Sequence, residues 1–318
     1  MRPPRVLVRL PYREPLAAGS LVRALRAHLV PGLERLDDDG ALTRVVRAPG
    51  GPAIVRVEPR PGTGEMRAEL RPSHPADVAH LLLSLRRSLD LDHDPAEADA
   101  ALARDPLLAP LVAARPGLRV PGGGDGFEAA VLVVLGQQVS VAAARTFAGR
   151  LVTAYGTPAG DGLSAFPTAH DLAFAHPGDL RAAVGLTGAR AGTLHSLARA
   201  VADGLVLDAS ADPARTREDL LALPGIGPWT AELIALRALG DRDALPSADL
   251  VLRRALGGVG PAEAERRAEP WRPFRAYALM HLWTHVAFEP PPASRNGAPG
   301  RVDGGRPMAS AHDGRMPR

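Results

Sequence analysis

The sequence predicts an α+β chain, with a small antiparallel-sheet domain over residues 1–90 followed by an all-helical domain over 91–289. Three observations predict it. The first ninety residues alternate short β-like runs with one helix-like stretch. Gly/Pro clusters punctuate those runs as hairpin connections should. From about Pro75 the apolar spacing turns helical, and strand signals nearly vanish through to Phe288.

Taken in order, Arg5–Leu10 (RVLVRL) is the first predicted strand, Leu21–Leu29 a helix, and Leu42–Arg47, Ala53–Val57 and Glu65–Leu70 three further strands. Ala48-Pro49-Gly50-Gly51-Pro52 and Pro61-Gly62-Thr63-Gly64 separate them. In the helical part, Asp125 and Glu128 stand three apart before the apolar run Ala129–Leu135, as in a capping box. Ser140 is placed to cap a helix over 141–155 that ends at Gly156. The short polar corner between these two helices is Gly136-Gln137-Gln138-Val139. Thr216 and Asp219 are expected to open a later helix that Pro224 stops after Leu223. Pro228 suits the first turn of the next helix, running to Gly240. The tail 290–318, rich in Pro, Gly and Arg with no aromatic residue, is expected to be disordered.

Composition excludes several kinds of chemistry. There is no cysteine, hence no disulfide, no thiolate zinc site and no cysteine-ligated iron–sulfur cluster. All 38 basic residues are arginine, so no ε-amine can form a Schiff base. The longest apolar run, Ala129–Leu135, is far too short to span a bilayer, and the first residues lack a secretory apolar stretch. No membrane association and a cytoplasmic location are therefore expected. A net charge of +3 and a pI near 10.0 suit a polyanionic partner without requiring one.

The most informative segment is Leu223-Pro224-Gly225-Ile226-Gly227-Pro228-Trp229-Thr230-Ala231. Its two glycines permit a tight turn without side chains, so that amides opening the next helix can approach a phosphate. A Gly-x-Gly alone is more often an ordinary helix connection, with Ile226 plugging the core. Asp249 opens the run Leu250–Leu256, where an aspartate is a natural N-cap and on position alone need be nothing more. His281 and His285 lie four apart on one helical face, but no third ligand is near in sequence, and helix-packing histidines are the better reading.

The segment 223–231 resembles the hairpin of the helix-hairpin-helix DNA glycosylases. Ordered motifs along most of the chain are similar to its alkylation-repair branch, the 3-methyladenine DNA glycosylase II family. They are Leu10–Arg13 (LPYR), Ala114–Gly122, Leu135–Val141 (LGQQVSV), Leu245–Asp249 (LPSAD) and Trp271–Trp283. The resemblance implies a first domain like half of the TATA-box-binding fold, and a helical domain with its active-site cleft between two subdomains.

It further implies a monofunctional glycosylase that flips alkylated bases, such as 3-methyladenine, out of double-stranded DNA and hydrolyses their N-glycosidic bond in base excision repair, working as a monomer. Such hydrolysis develops positive charge on the sugar and calls for a fixed carboxylate nearby. The resemblance assigns that role to Asp249. It places Trp229, Trp283, Gln137, Leu233 and Leu250 around the base, with Gln138 as the side chain wedged into the duplex. Gly225, Gly227 and Thr230 would bind phosphate through their backbone. The carbonyls of Leu221, Leu223 and Ile226 would hold a structural Na⁺ or K⁺, and no cofactor is implied for the chemistry. Members that also cleave the backbone carry a lysine two residues after the second glycine. Trp229 stands there, so no lyase step is expected. One relative has leucine at Gln138, some have tyrosine at Leu233, and Leu250 stands where an aromatic is otherwise found. A non-catalytic DNA-binding module using the same hairpin is the alternative; it leaves Asp249, Gln137 and Trp283 unexplained.

Overall fold

A computed structural model describes residues 5–288. The expected tail at 290–318 lies outside the described residues.

The N-terminal unit opens with strand β1 (Val6–Pro11) and helix α1 (Ala18–His28). The strands β2 (Glu34–Leu36), β3 (Leu42–Ala48), β4 (Gly51–Glu58) and β5 (Glu65–Arg71) follow, and then helix α2 (Val78–Ser88). All neighbouring strands pair antiparallel, in the order β1-β5-β4-β3-β2. Met66, Ala68 and Leu70 alternate inward along β5 and pack with Val55, Val57, Leu81 and Leu85. The three-residue strand β2 was not expected from the sequence.

The helical unit begins with α3 (Pro95–Leu102), α4 (Ala109–Ala114), α5 (Gly126–Gly136) and α6 (Val141–Tyr155). A hairpin absent from the sequence reading follows, β6 (Thr157–Gly160) and β7 (Leu163–Ala165), packed against β3 and β4. Arg47 on β3 donates to the Phe166 carbonyl just beyond it at 2.7 Å. Then come α7 (Ala169–Phe174), α8 (Pro177–Val184), α9 (Gly188–Ala202), α10 (Pro213–Leu221), α11 (Pro228–Ile234), α12 (Leu250–Ala255), α13 (Pro261–Ala268) and α14 (Arg275–Trp283).

Several caps fall where expected. Asp125 accepts from the amides of Phe127 and Glu128, and Ser140 from Ala143. Glu128, however, does not close a capping box. It turns to Arg44 of β3 at 2.6 Å, a pair buried on both sides that joins sheet to helix. Arg44 also pairs with Glu34 at 3.6 Å, so losing the arginine would leave buried carboxylates uncompensated, and the contact helps fix how the two units meet. The opening of α10 is also corrected. Asp212 caps it, accepting from Arg215 at 2.8 Å, with Pro213 in the first turn, whereas Thr216 is buried in mid-helix and Asp219 pairs with Arg215.

Two cores divide the helical unit. One gathers α5, α6, α9 and the start of α11 together with Val45 and Ile54 of the sheet; the other gathers α3, α4, α12 and α14. A single rod crosses between them. Ala231 and Ile234 belong to the first core, while Ala235, Leu236 and Leu239 belong to the second. From Ala235 the rod widens into a π turn that stops at Gly240, whose φ is 70°. Insertions of this kind are frequent where a helix serves a site.

Candidate active site

Asp249 sits at the seam between the two helical cores and is 9% exposed. It caps α12. Its Oδ1 accepts from the amides of Val251 and Leu252, both at 3.0 Å, and also from the indole N–H of Trp283 at 3.0 Å. Its Oδ2 receives only a long contact from the indole of Trp229, 3.4 Å. One oxygen is thus saturated and the other is nearly free.

The loop before α12 is fixed from behind. Glu232 of α11 accepts from the Leu245 amide at 3.0 Å, and is itself gripped by Arg217 of α10 at 2.6 Å. Arg217 reaches Asp241 as well, also at 2.6 Å. Neither Arg217 nor Glu232 could be singled out in the sequence, since their partners lie on other elements.

The two tryptophans play different parts. Trp283 is 9% exposed, and the guanidinium of Arg237 covers its ring, 5.4 Å from the centroid. Arg237 donates to the Pro121 carbonyl and has no carboxylate partner among the described residues; burial pulls its pKa down to about 10. Trp283 thus donates to Asp249 through its indole N–H while its ring carries the Arg237 guanidinium. Trp229 is half-buried and lines a cavity of about 190 Å³ with Pro228, Ser247 and Ala248. Leu233 is partly buried against both cores, and Leu250, the first residue of α12, is 54% exposed.

The hairpin serves two ends. Ile226 is 5% exposed in the first core, as the plainer reading of the turn requires. Gly225 has a φ of 82°, and a Cβ there would fall 2.0 Å from the Thr193 hydroxyl of α9. Gly227, extended at φ −100°, would meet nothing within 4 Å. No side chain caps α11, so its first amides are left without intrahelical partners. Thr230 is 4% exposed, and its hydroxyl accepts from Gln137. Leu221 ends α10, and its carbonyl belongs to the last turn; the Leu223 carbonyl accepts from Ile226 at 3.2 Å and keeps one lone pair. Neutral carbonyls of this kind fit a monovalent cation better than a divalent one.

At the opposing corner, Gln137 is tied to the hairpin. Its amide donates to the Gly225 carbonyl and the Thr230 hydroxyl, both at 3.0 Å. Gln138 is exposed, with φ at 51°. A left-handed backbone costs a non-glycine residue roughly 1–2 kcal/mol. His281 is 1% exposed, and burial pulls it down to about 4. Among the described residues, no three potential ligands converge on a metal site.

Comparison with known proteins agrees with this layout. Residues 7–125 match the AlkA N-terminal domain, and 131–272 match the HhH-GPD superfamily base excision DNA repair protein family. Sheet domain, paired lobes and glycine hairpin thus define the helix-hairpin-helix base excision class.

The chain belongs to the AlkA family of DNA-3-methyladenine glycosylases. It is 38% identical over 216 residues to DNA-3-methyladenine glycosylase 2 of Escherichia coli, covering 67% of this chain and 74% of that one. It is 44% identical over 303 residues to a probable bifunctional transcriptional activator/DNA repair enzyme AlkA of Mycobacterium tuberculosis. That match takes in 91% of this chain but only 60% of the relative's length. The fold matches the 3-methyladenine DNA glycosylase from Archaeoglobus fulgidus with a TM-score of 0.77 at 22% identity, over 88% of this chain and 98% of that one. None of the helices described is long and apolar enough to cross a membrane.

Proposed function

We propose that this chain is a monofunctional glycosylase that takes alkylated bases out of duplex DNA and hydrolyses their N-glycosidic bond, with Asp249 facing the reacting sugar. The observation that carries the reading is the asymmetry of the carboxylate. Three donors pin Oδ1, while Oδ2 has one long contact. The group cannot rotate away, and its free edge is available to a developing oxocarbenium ion.

An N-alkylated purine is already cationic, so it departs neutral with the bonding electron pair and needs no proton donor. Trp229 offers such a base a half-open aromatic face, where a cation gains roughly 0.5–2 kcal/mol. Water is the nucleophile, because the chain has no lysine to attack in its place. Gly227 and the amides of α11 take up a backbone phosphate. The Leu221, Leu223 and Ile226 carbonyls would hold Na⁺ or K⁺, which adds positive charge beside that phosphate. Gln138, exposed and held in a left-handed turn, fills the space left by the extruded nucleotide. The protein works as a cytoplasmic monomer on chromosomal DNA.

Incubating the protein with a methylated duplex and separating the released bases by chromatography tests this. Free methylated purine with intact strands is the expected product. Tight binding without base release would make the chain a DNA-binding module instead.

A further inference from the structure

Three segments distant in sequence meet at one residue, Gln137, the hairpin through its side chain and α9 through its backbone carbonyl. Gln137 donates to the Gly225 carbonyl of the hairpin and to Thr230 at the start of α11, each at 3.0 Å. The Gln137 carbonyl accepts from Arg190 of α9, the helix on which Gly225 also packs through Thr193. Arg190 in turn lies over the Phe147 ring of α6, 5.8 Å from its centroid, so both helices of the corner are braced.

The consequence falls on the next residue. The Gln137 carbonyl lies in the same planar peptide as the Gln138 amide. Fixing that oxygen therefore fixes the plane from which Gln138 departs at φ 51°. With its backbone set on one side, the direction of the Gln138 Cα–Cβ bond, and so the starting point of its exposed side chain, is set as well. The hairpin that fixes Gln137 is also the element that meets the DNA backbone.

We propose that Gln137 is a positioning residue, latching the helix corner to the hairpin so that engagement of DNA phosphate by the hairpin sets how Gln138 enters the duplex. This rests on Gln138 acting as the wedge and on the hairpin as the phosphate contact. It assigns Gln137 no contact with the base.

A double-mutant cycle separates this role from a merely structural one. Single-turnover excision at saturating protein, with a 2-aminopurine next to the lesion reporting unstacking, is measured for the wild type, Gln137→Met, Gln138→Gly and the double variant. Gln137→Met is expected to slow excision about tenfold and to weaken the unstacking signal. In the Gln138→Gly background the same change should cost less than about twofold, because there is no wedge left to aim. Equal losses in both backgrounds overturn the latch and leave the wedge standing. A Gln138→Gly protein that excises like the wild type overturns the wedge, and the latch with it. Should Gln137→Met fail to fold, Thr230→Val removes one acceptor of the latch and should give a smaller loss that again vanishes beside Gln138→Gly. A folded Thr230→Val protein with unchanged excision counts against the latch.

Discussion

The N-termini of α11 and α12 are the same physical object put to opposite uses. Each exposes amides without intrahelical partners and carries the positive end of the helix dipole. At α12 the chain supplies its own anion: Asp249 satisfies the amides of Val251 and Leu252 and retains a nearly free oxygen. At α11 the capping position is Gly227, which has no side chain to give, and Pro228 follows it. That end is left to take an anion from outside. One choice of capping residue thus decides whether a helix end carries its own negative charge or leaves its amides open to an anion from outside.

The largest test of this contrast is Asp249→Asn. Asparagine caps almost as well as aspartate, so thermal melting should barely move. The negative charge beside the sugar is lost, and single-turnover excision should fall roughly 100- to 1,000-fold. A normally melting variant that excises within a few-fold of wild type would reduce Asp249 to a cap.

The two glycines of the hairpin divide along the same line. Gly225→Ala forces a methyl into the Thr193 hydroxyl at a left-handed backbone position and should destabilise the protein by roughly 1–3 kcal/mol, read as a lowered Tm. Gly227→Asp converts the α11 end into a copy of the α12 end. Its backbone is extended, there is open space at the Cβ, and the new carboxylate can cap the amides of Trp229 and Thr230. Stability should rise by a few tenths of a kcal/mol, while affinity for damaged and undamaged duplex alike falls by about tenfold through repulsion of phosphate. Unchanged binding in a filter assay at low salt would remove the hairpin from the DNA interface.

What was legible in the sequence follows how far each interaction reaches along the chain. Asp125, Ser140 and Asp249 could be read as caps because a cap and its amides lie within three residues. The start of α10 was within reach too, since Asp212 before Pro213 is a cap followed by a first-turn proline. Glu128 shows the limit. Its spacing from Asp125 suits a capping box, yet a charged partner 84 residues away claims it. The β6–β7 hairpin has weak strand propensity and forms against β3 and β4; its one local signal is the Asp161-Gly162 connection, with both residues at positive φ. At the site, the family motifs located Asp249, the tryptophans and the glutamines, but not the contacts each makes. Trp283 as a donor to Asp249, Arg237 on its ring and Gln137 tied to the hairpin are all contacts between distant segments.

Trp283→Phe is the smallest change and the sharpest probe of how firmly Asp249 is held. Phenylalanine keeps an aromatic ring beneath Arg237, so the packing at the end of α14 survives, and only the indole N–H to Oδ1 and part of the ring volume are lost. Asp249 still has the amides of Val251 and Leu252, which hold it at the head of α12. Losing one of three donors to a carboxylate should cost about 1 kcal/mol, so the single-turnover rate constant should fall about fivefold with KM little changed. The same loss is expected on a cationic methylated base and on a neutral deaminated one, because the residue acts through Asp249 and not on the base. A loss confined to the cationic lesion, or a rise in KM without a fall in rate, would show that Trp283 meets the base directly despite its burial and the guanidinium on its face.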